Sequence, residues 1–347
     1  MSPADNVLLI RTDRIGDLVL TSPAVKVIKE NIPGCSVSFY LKEYTSSLLA
    51  DNQQIDNLII SAQIKNLLDF FDEVRRIRKY KFSAAVLFSP SLLNSLLVFF
   101  AGIPVRIGTG YRWYSFFFNR RVFEHRKTAE KHELVYNLNL LKPLGIEKPE
   151  IDSLYEYSGL SLKAGSTTEI RNLLLSSGWD EKKATLCFHP GSGGSAVDLP
   201  EEKMKQLISN CADLNCNIIL TGSEAETDLC QRLKTNDSII NLSGTATISE
   251  LLAAISFCDI LVANSTGPIH LAAALNKFVV GFYPKIIQCS PERWGPYTEK
   301  KTIFMPEIEC SNCTRKQCEE LNCMNSINID RVHESIKKLV FQLNMGR

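Results

Sequence analysis

Short apolar runs alternate with helix-patterned stretches from residue 7 to residue 284, and a chain with that alternation is constrained to parallel sheets joined by crossover helices. In the first half the runs at 7–10, 36–41, 57–60, 84–88 and 105–108 read as strands. Between them, 64–79 carries Leu67, Leu68, Phe71, Val74 and Ile77 in an i, i+3, i+4 stripe. The second half repeats the scheme, with strands expected at 185–189, 217–221, 239–242, 260–263 and 278–282. Pro200 opens one helix there, and Thr247 with Glu250 forms a capping box ahead of Leu251 and Leu252. A length of 347 residues suits two such doubly wound domains. Their expected limits are 1–165 and 166–330, followed by a closing amphipathic helix within 331–347.

Residues 82–105 lack any charge and are long enough to span a bilayer, but Ser89-Pro90, Asn94 and Gly102 divide them into a strand, a helix and the start of another strand. The first six residues hold no basic side chain and the apolar run after them stops at Arg11, so no signal peptide is expected. Eleven cysteines, an odd number spread through apolar segments, suit a reducing cytosol. The net charge of +1 gives no global field for nucleic acid, so none is expected as a partner.

The first strand hands over to a helix through Arg11-Thr12-Asp13-Arg14-Ile15-Gly16-Asp17. This turn lacks the G-x-G-x-x-G spacing of dinucleotide binding. Asp17 stands where the helix begins and serves equally well as a capping carboxylate or a catalytic one. In the second half, Pro190-Gly191-Ser192-Gly193-Gly194-Ser195 is either a surface loop or an anion-binding turn. A second anion candidate is Asn264-Ser265-Thr266-Gly267-Pro268-Ile269-His270, leading into a helix N-terminus, and two such loops suggest a diphosphate. Glu224, just past a strand, is placed to accept ribose hydroxyls.

In their order and spacing, residues 11–17, 102–110 with Arg106, 189–195, 222–224, 242–244 and 264–275 resemble glycosyltransferase family 9, the ADP-heptose:lipopolysaccharide heptosyltransferases. The resemblance covers nearly the whole chain. It implies a GT-B fold, in which two Rossmann-like domains face a cleft and a closing helix packs back on the first. It further implies an acceptor site in the first domain, an ADP-sugar in the second, and inversion at the anomeric carbon without a metal or other cofactor. Asp17 matches the family's catalytic base, and Ser192 and Gly193 its phosphate loop. Glu224 matches the nucleoside contact and Thr247 the loop beside the adenine. Ser265, Thr266, Gly267 and His270 match the loop that holds diphosphate and sugar. No D-x-D sequence occurs in the chain, which agrees with a metal-free leaving-group site.

Two departures stand out. Many family members carry a lysine where this chain has Val197, and loss of a cation beside the leaving diphosphate is worth about two to three decades in rate, unless another cation such as Lys285 or Arg293 substitutes. Ser265 replaces the aspartate of some relatives, which bears on the sugar transferred. The alternatives are a catalytically silent nucleotide-sugar-binding protein or a transferase using another nucleotide-sugar.

Between 106 and 131, seven basic residues face two acids among exposed-type aromatics. Arg106, Arg112, Arg120 and Arg121 are therefore candidates for a phosphorylated lipid A/Kdo-type acceptor at the inner face of the cytoplasmic membrane, although the aromatics would serve equally in a loop that packs them inward. Near the C-terminus, Cys310, Cys313, Cys318 and Cys323 have a spacing that permits structural zinc but equally reduced thiols or a disulfide.

Overall fold

The computed structural model describes residues 5–244, 247–310 and 313–346. Part of the N-terminal segment read for a leader, and Arg347 at the end of the expected closing helix, lie outside the described residues. The chain divides into two compact units: one runs to Ser161 apart from Lys127–Glu130, which group with the second unit from Leu162 onward.

The first unit holds β1 (Asn6–Arg11), β2 (Ser36–Leu41), β3 (Asn57–Ile60), β4 (Ala84–Leu87), β5 (Val105–Thr109) and β6 (Arg120–Val122) in the order β3-β2-β1-β4-β5-β6. The second holds β7 (Ala184–His189), β8 (Cys216–Leu220), β9 (Ile240–Asn241), β10 (Ile260–Asn264), β11 (Phe278–Phe282) and β12 (Lys301–Phe304) in the order β9-β8-β7-β10-β11-β12. Every pairing is parallel. Both orders are that of the dinucleotide-binding fold, which reverses direction between the first and fourth strands and leaves a crevice at their C-terminal ends. That crevice falls beside β1 and β4 in one unit and beside β7 and β10 in the other.

The central strands are fully buried, as Val7 to Ile10 and Ile260 to Ala263 show, because helices cover both faces of a parallel sheet. The sequence pattern missed only β6 and β12. Both are short edge strands with charged, partly exposed residues, so neither shows the apolar run that betrays a central strand.

Residues 82–105 resolve into β4, helix Leu92–Phe100 and the start of β5, and among the described residues no helix is long and apolar enough to cross a membrane. Helix Leu67–Arg78 starts at Asn66, whose side chain accepts hydrogen bonds from the Leu68 and Asp69 amides. Its stripe differs from the one read in the sequence. Phe70, Val74 and Ile77 enter the core of the first unit, whereas Leu67, Leu68 and Phe71 face solvent.

The closing helix, Ile329–Met345, is a member of the second unit. Val332, Ile336 and Val340 join Met204, Leu207, Ile208 and Cys211 of helix Glu201–Ala212 in the core of the second unit. The Asn344 side chain secures the far end, accepting from the Ala184 amide and donating to the Asn215 carbonyl, each at 2.8 Å. The apolar stripe of the helix is thus buried within its own unit. Ile336→Ala, at a fully buried position, is expected to lower stability by about 2–5 kcal/mol in chemical denaturation.

Candidate functional site

In the first unit the turn after β1 is organised by one buried cation. Arg11 is held between the two strands at the switch point, donating to the Phe88 carbonyl beyond β4 at 3.1 Å. Its Nε pairs with Asp13 Oδ1 at 2.7 Å and its Nη2 with Asp17 Oδ1. The turn is fastened further by Asn94 Nδ2, which donates to Thr12 Oγ1 at 3.0 Å, and by the Tyr44 hydroxyl, which donates to the Asp13 carbonyl at 2.6 Å.

Asp17 lies in the first turn of helix Ile15–Val19 with 18% of its side chain exposed. Its Oδ2 accepts no hydrogen bond from a described residue. Burial pushes its carboxyl above the ordinary aspartate value; Arg11 opposes this, while Asp13 and Glu133 add to it. An aspartate poised this way is a better proton acceptor than a free one.

In the second unit both anion candidates leave the sheet at its switch point and are tied to each other. Asn264, fully buried at the end of β10, donates to the Pro190 carbonyl at 2.5 Å and accepts from the Leu199 amide at 2.9 Å. The Ser195 hydroxyl lies 2.8 Å from the Ser192 carbonyl and 3.0 Å from that of Ser265. Gly193 and Gly194 have φ of +53° and +74°, a left-handed conformation that side chains rarely adopt. Ser192 is buried at the base of this turn. Thr266 is the extended N-cap of helix Gly267–Ala274, in which His270 is buried, and the Ser265 amide is anchored to the Phe282 carbonyl at 3.1 Å.

Glu224 is exposed at the start of a short helical turn. The carboxylate that reaches the glycine turn is instead Glu226, two residues on, which the sequence reading missed. Its Oε2 accepts from the Ser223 amide at 2.7 Å and hydroxyl at 2.8 Å, and its Oε1 accepts from the Gly193 amide at 3.3 Å. Burial raises the Glu226 carboxyl, but these bonds and nearby His189 outweigh it and hold it below the ordinary value. His189 is itself lowered by burial, its Nδ1 lying 3.0 Å from Thr221 Oγ1. A Cβ at Gly191 would run into the Glu226 carboxylate. Ser223 and Glu226 form an S-x-x-E capping box, the same signal that revealed Thr247 and Glu250, and it could have found this residue. Thr247 caps helix Ile248–Phe257 as its spacing implied, with its amide donating to Glu250 at 2.5 Å.

Val197 is buried in the core of the second unit. Lys285 donates to the Ile308 carbonyl at 2.8 Å, and Arg293 lies over the Trp294 ring at 5.0 Å. Arg315 does reach the turn, donating to the Gly194 carbonyl at 2.7 Å and the Ala196 carbonyl at 3.0 Å. No sequence motif marks Arg315; a capping box of Thr314 and Gln317 positions the helix Arg315–Glu320 that carries it.

The four arginines suggested for an acceptor have different surroundings. Arg106 donates to the Phe117 and Ile103 carbonyls at 2.8 and 2.6 Å, and Arg121 to the Phe118 carbonyl at 3.2 Å. These bonds brace the 103–121 segment. Arg120 donates to the carbonyl of adjacent Asn119 at 3.3 Å, and Arg112 is exposed. Among the described residues no group of three or more His, Cys, Asp or Glu side chains is arranged to hold a metal ion, although Cys310 and Cys313 interact with each other and with the Cys318–Cys323 pair. Cys318 and Cys323 are buried in the second core, where burial and the neighbouring thiol push Cys318 up to about 12, while Cys310 and Cys313 are half-buried.

Two dinucleotide-fold units, one offering a carboxylate at its switch point and the other paired glycine and helix-start turns, define a glycosyltransferase of the GT-B type. The sequence profile of glycosyltransferase family 9 (heptosyltransferase) matches residues 71–324, and the chain belongs to that family. Over 339 residues the chain is 25% identical to lipooligosaccharide heptosyltransferase 2 of Campylobacter jejuni, covering 94% of this chain and 96% of that protein. The fold is shared with a family 9 glycosyl transferase from Veillonella parvula at a TM-score of 0.82, 17% identity and 97% coverage of each chain. It is also shared with the E. coli ADP-heptose heptosyltransferase II at a TM-score of 0.78 and 19% identity, covering 97% of this chain and 99% of the other.

Asn264→Ala leaves the Leu199 amide and the Pro190 carbonyl buried without partners, at about 1–3 kcal/mol each. The expected result is a lower melting temperature in a thermal denaturation scan.

Proposed function

We propose that this glycosyltransferase moves a heptose from ADP-heptose to a Kdo- or heptose-bearing lipid A acceptor of the lipopolysaccharide core, with inversion and without a metal, at the inner face of the cytoplasmic membrane. The heptosyltransferase relatives support the donor and acceptor classes. The observation that carries the chemistry is Asp17, with one carboxylate oxygen held by buried Arg11 and the other open.

Inversion needs an acceptor hydroxyl to attack the anomeric carbon from the face opposite the diphosphate, and a carboxylate to take its proton as the new bond forms. Asp17 fills that role in the first unit. Arg11 fixes the carboxylate's direction without neutralising its basicity, because burial offsets the cation. Arg112 and Arg120, with Arg106 and Arg121 bracing the segment, form the basic face toward the acceptor.

In the second unit the diphosphate lies against Ser192, Gly193 and the start of helix Gly267–Ala274 at Ser265, Thr266 and Gly267, with His270 one turn behind. Glu224 and Thr247 take the nucleoside side. Charge that develops on the departing ADP is stabilised by fixed amides and the helix N-terminus. Arg315, paired with Glu319 and donating to the turn's Gly194 and Ala196 carbonyls, is the cation nearest to the role that the family lysine would have had at Val197. This favours a working enzyme over a silent binding protein.

Incubation with ADP-heptose and a Kdo-lipid A acceptor, followed by ADP release, tests the reading. Asp17→Asn is expected to lower kcat by about 10²–10⁴-fold while leaving ADP binding intact. The carboxylate must be ionised to accept the proton and its pKa is raised. Activity is therefore lost, as pH falls, at a pH above the usual aspartate range, and Asp17→Asn abolishes that limb. Arg315→Ala is expected to cost about 10–100-fold in kcat/KM. A chelator leaves wild-type turnover unchanged. Donor binding with no release by the wild type would instead identify a silent protein.

A further inference from the structure

Helix Leu92–Phe100 buries Leu97 and Val98 in the core and its two polar residues beside them. Asn94 donates to Thr12, and the Ser95 hydroxyl donates to the Ser91 carbonyl at 2.7 Å. Its outward side is wholly apolar, with Leu93, Phe99 and Phe100 each more than 40% exposed. Helix Leu67–Arg78 packs beside it and, besides its buried apolar face, leaves Leu67 and Leu68 75% and 73% exposed.

The two faces are continuous. Phe71 meets Phe100 edge to face at 6.1 Å between ring centres, Phe100 meets Phe99 at 5.5 Å, and Phe99 meets Phe117 at 5.2 Å. Phe116, 59% exposed, extends the ridge from Phe117 at 4.2 Å. A row of interlocked rings on solvent is larger than the scattered apolar residues of an ordinary surface and marks a place where something docks.

The charges say what docks. Helical spacing puts Arg75 and Arg78 on the same stripe as Leu67, Leu68 and Phe71, one to three turns further along. Arg78 donates to the Phe100 carbonyl at 2.6 Å, and the Arg106 guanidinium lies 5.3 Å from the centre of the Phe99 ring. Between 65 and 121 the chain has ten basic and three acidic side chains, so the ridge is rimmed by positive charge despite a net charge of only +1 overall; of the acids, Asp72 is paired with Arg75. A second protein surface has no general need for such a rim. An anionic bilayer does, because aromatic rings settle at the headgroup level while arginines reach the phosphates.

We propose that the ridge formed by the outward faces of helices Leu67–Arg78 and Leu92–Phe100 and by Phe116 is the surface through which this protein docks reversibly on an anionic membrane. The inference rests on the reading of the acceptor as a glycolipid, and it names the face that meets the lipid. Vesicles that carry no saccharide keep its test separate from any test of transfer.

The experiment is flotation of the full-length chain with vesicles of equimolar phosphatidylethanolamine and phosphatidylglycerol, against vesicles of phosphatidylcholine alone. Wild type is expected to bind the anionic vesicles at least about tenfold more tightly, with affinity falling as salt rises. The triple variant Leu67→Ser, Leu68→Ser, Phe116→Ser is expected to lose about tenfold or more, with an unchanged melting temperature because all three side chains are already exposed. Arg75→Glu with Arg78→Glu is expected to abolish the preference for anionic lipid while the apolar contribution remains. Equal binding by wild type and the triple variant overturns the proposal. So does sedimentation showing a self-associated wild type that the same triple substitution makes monomeric, since a second copy would then cover the ridge.

Discussion

The side-chain amide of Asn264 spans the two strands at the reversal point of the second sheet, and the arrangement of the turns around it depends on that link. One end of the amide holds the loop after β7 through Pro190, and the other accepts the Leu199 amide where that loop returns to the core. Because the group is fully buried, each bond also spares a backbone polar group from going unsatisfied, which makes the loop's path costly to change. Arg11 performs the equivalent task in the first unit, reaching from the end of β1 to the Phe88 carbonyl while gathering Asp13 and Asp17. The same crevice in the same topology is thus braced once by an amide and once by a guanidinium.

That difference has chemical consequences. A buried guanidinium draws carboxylates toward itself and keeps a raised carboxyl oriented, which suits proton acceptance. In the second unit the bracing amide is neutral, and the charges that reach the turn come from elsewhere: Arg315 donates to the Gly194 carbonyl, and Glu226 accepts from the Gly193 amide. The Glu226 carboxylate competes with any anion for that donor.

Several elements were legible in the sequence for plain reasons. Central strands are buried on both faces and therefore read as unbroken apolar runs, and Thr247-x-x-Glu250 announces a helix start through local bonds alone. Other elements were not. The edge strands β6 and β12 have only one paired side and carry charge. The stripe in helix Leu67–Arg78 mixed two faces, since Leu67, Leu68 and Phe71 lie only part of a turn from the buried set and periodicity cannot say which neighbour lies inside. Glu226 follows the same local capping pattern as Glu250, while Glu224 stands nearer the end of the strand.

Taken by itself, the sequence determined the repeated strand and helix order, the two glycine-bearing turns, the family likeness and the place of Asp17. Each of these is written in neighbouring residues, whose spacing controls local hydrogen bonds and burial period. The tertiary structure decided what depends on distant residues meeting. It seated the closing helix on helix Glu201–Ala212, buried Val197, brought Arg315 across more than a hundred residues to Gly194, and left an aromatic ridge outside. Those outcomes follow from which surfaces are left to cover one another once both sheets have formed, and no window of sequence contains that information.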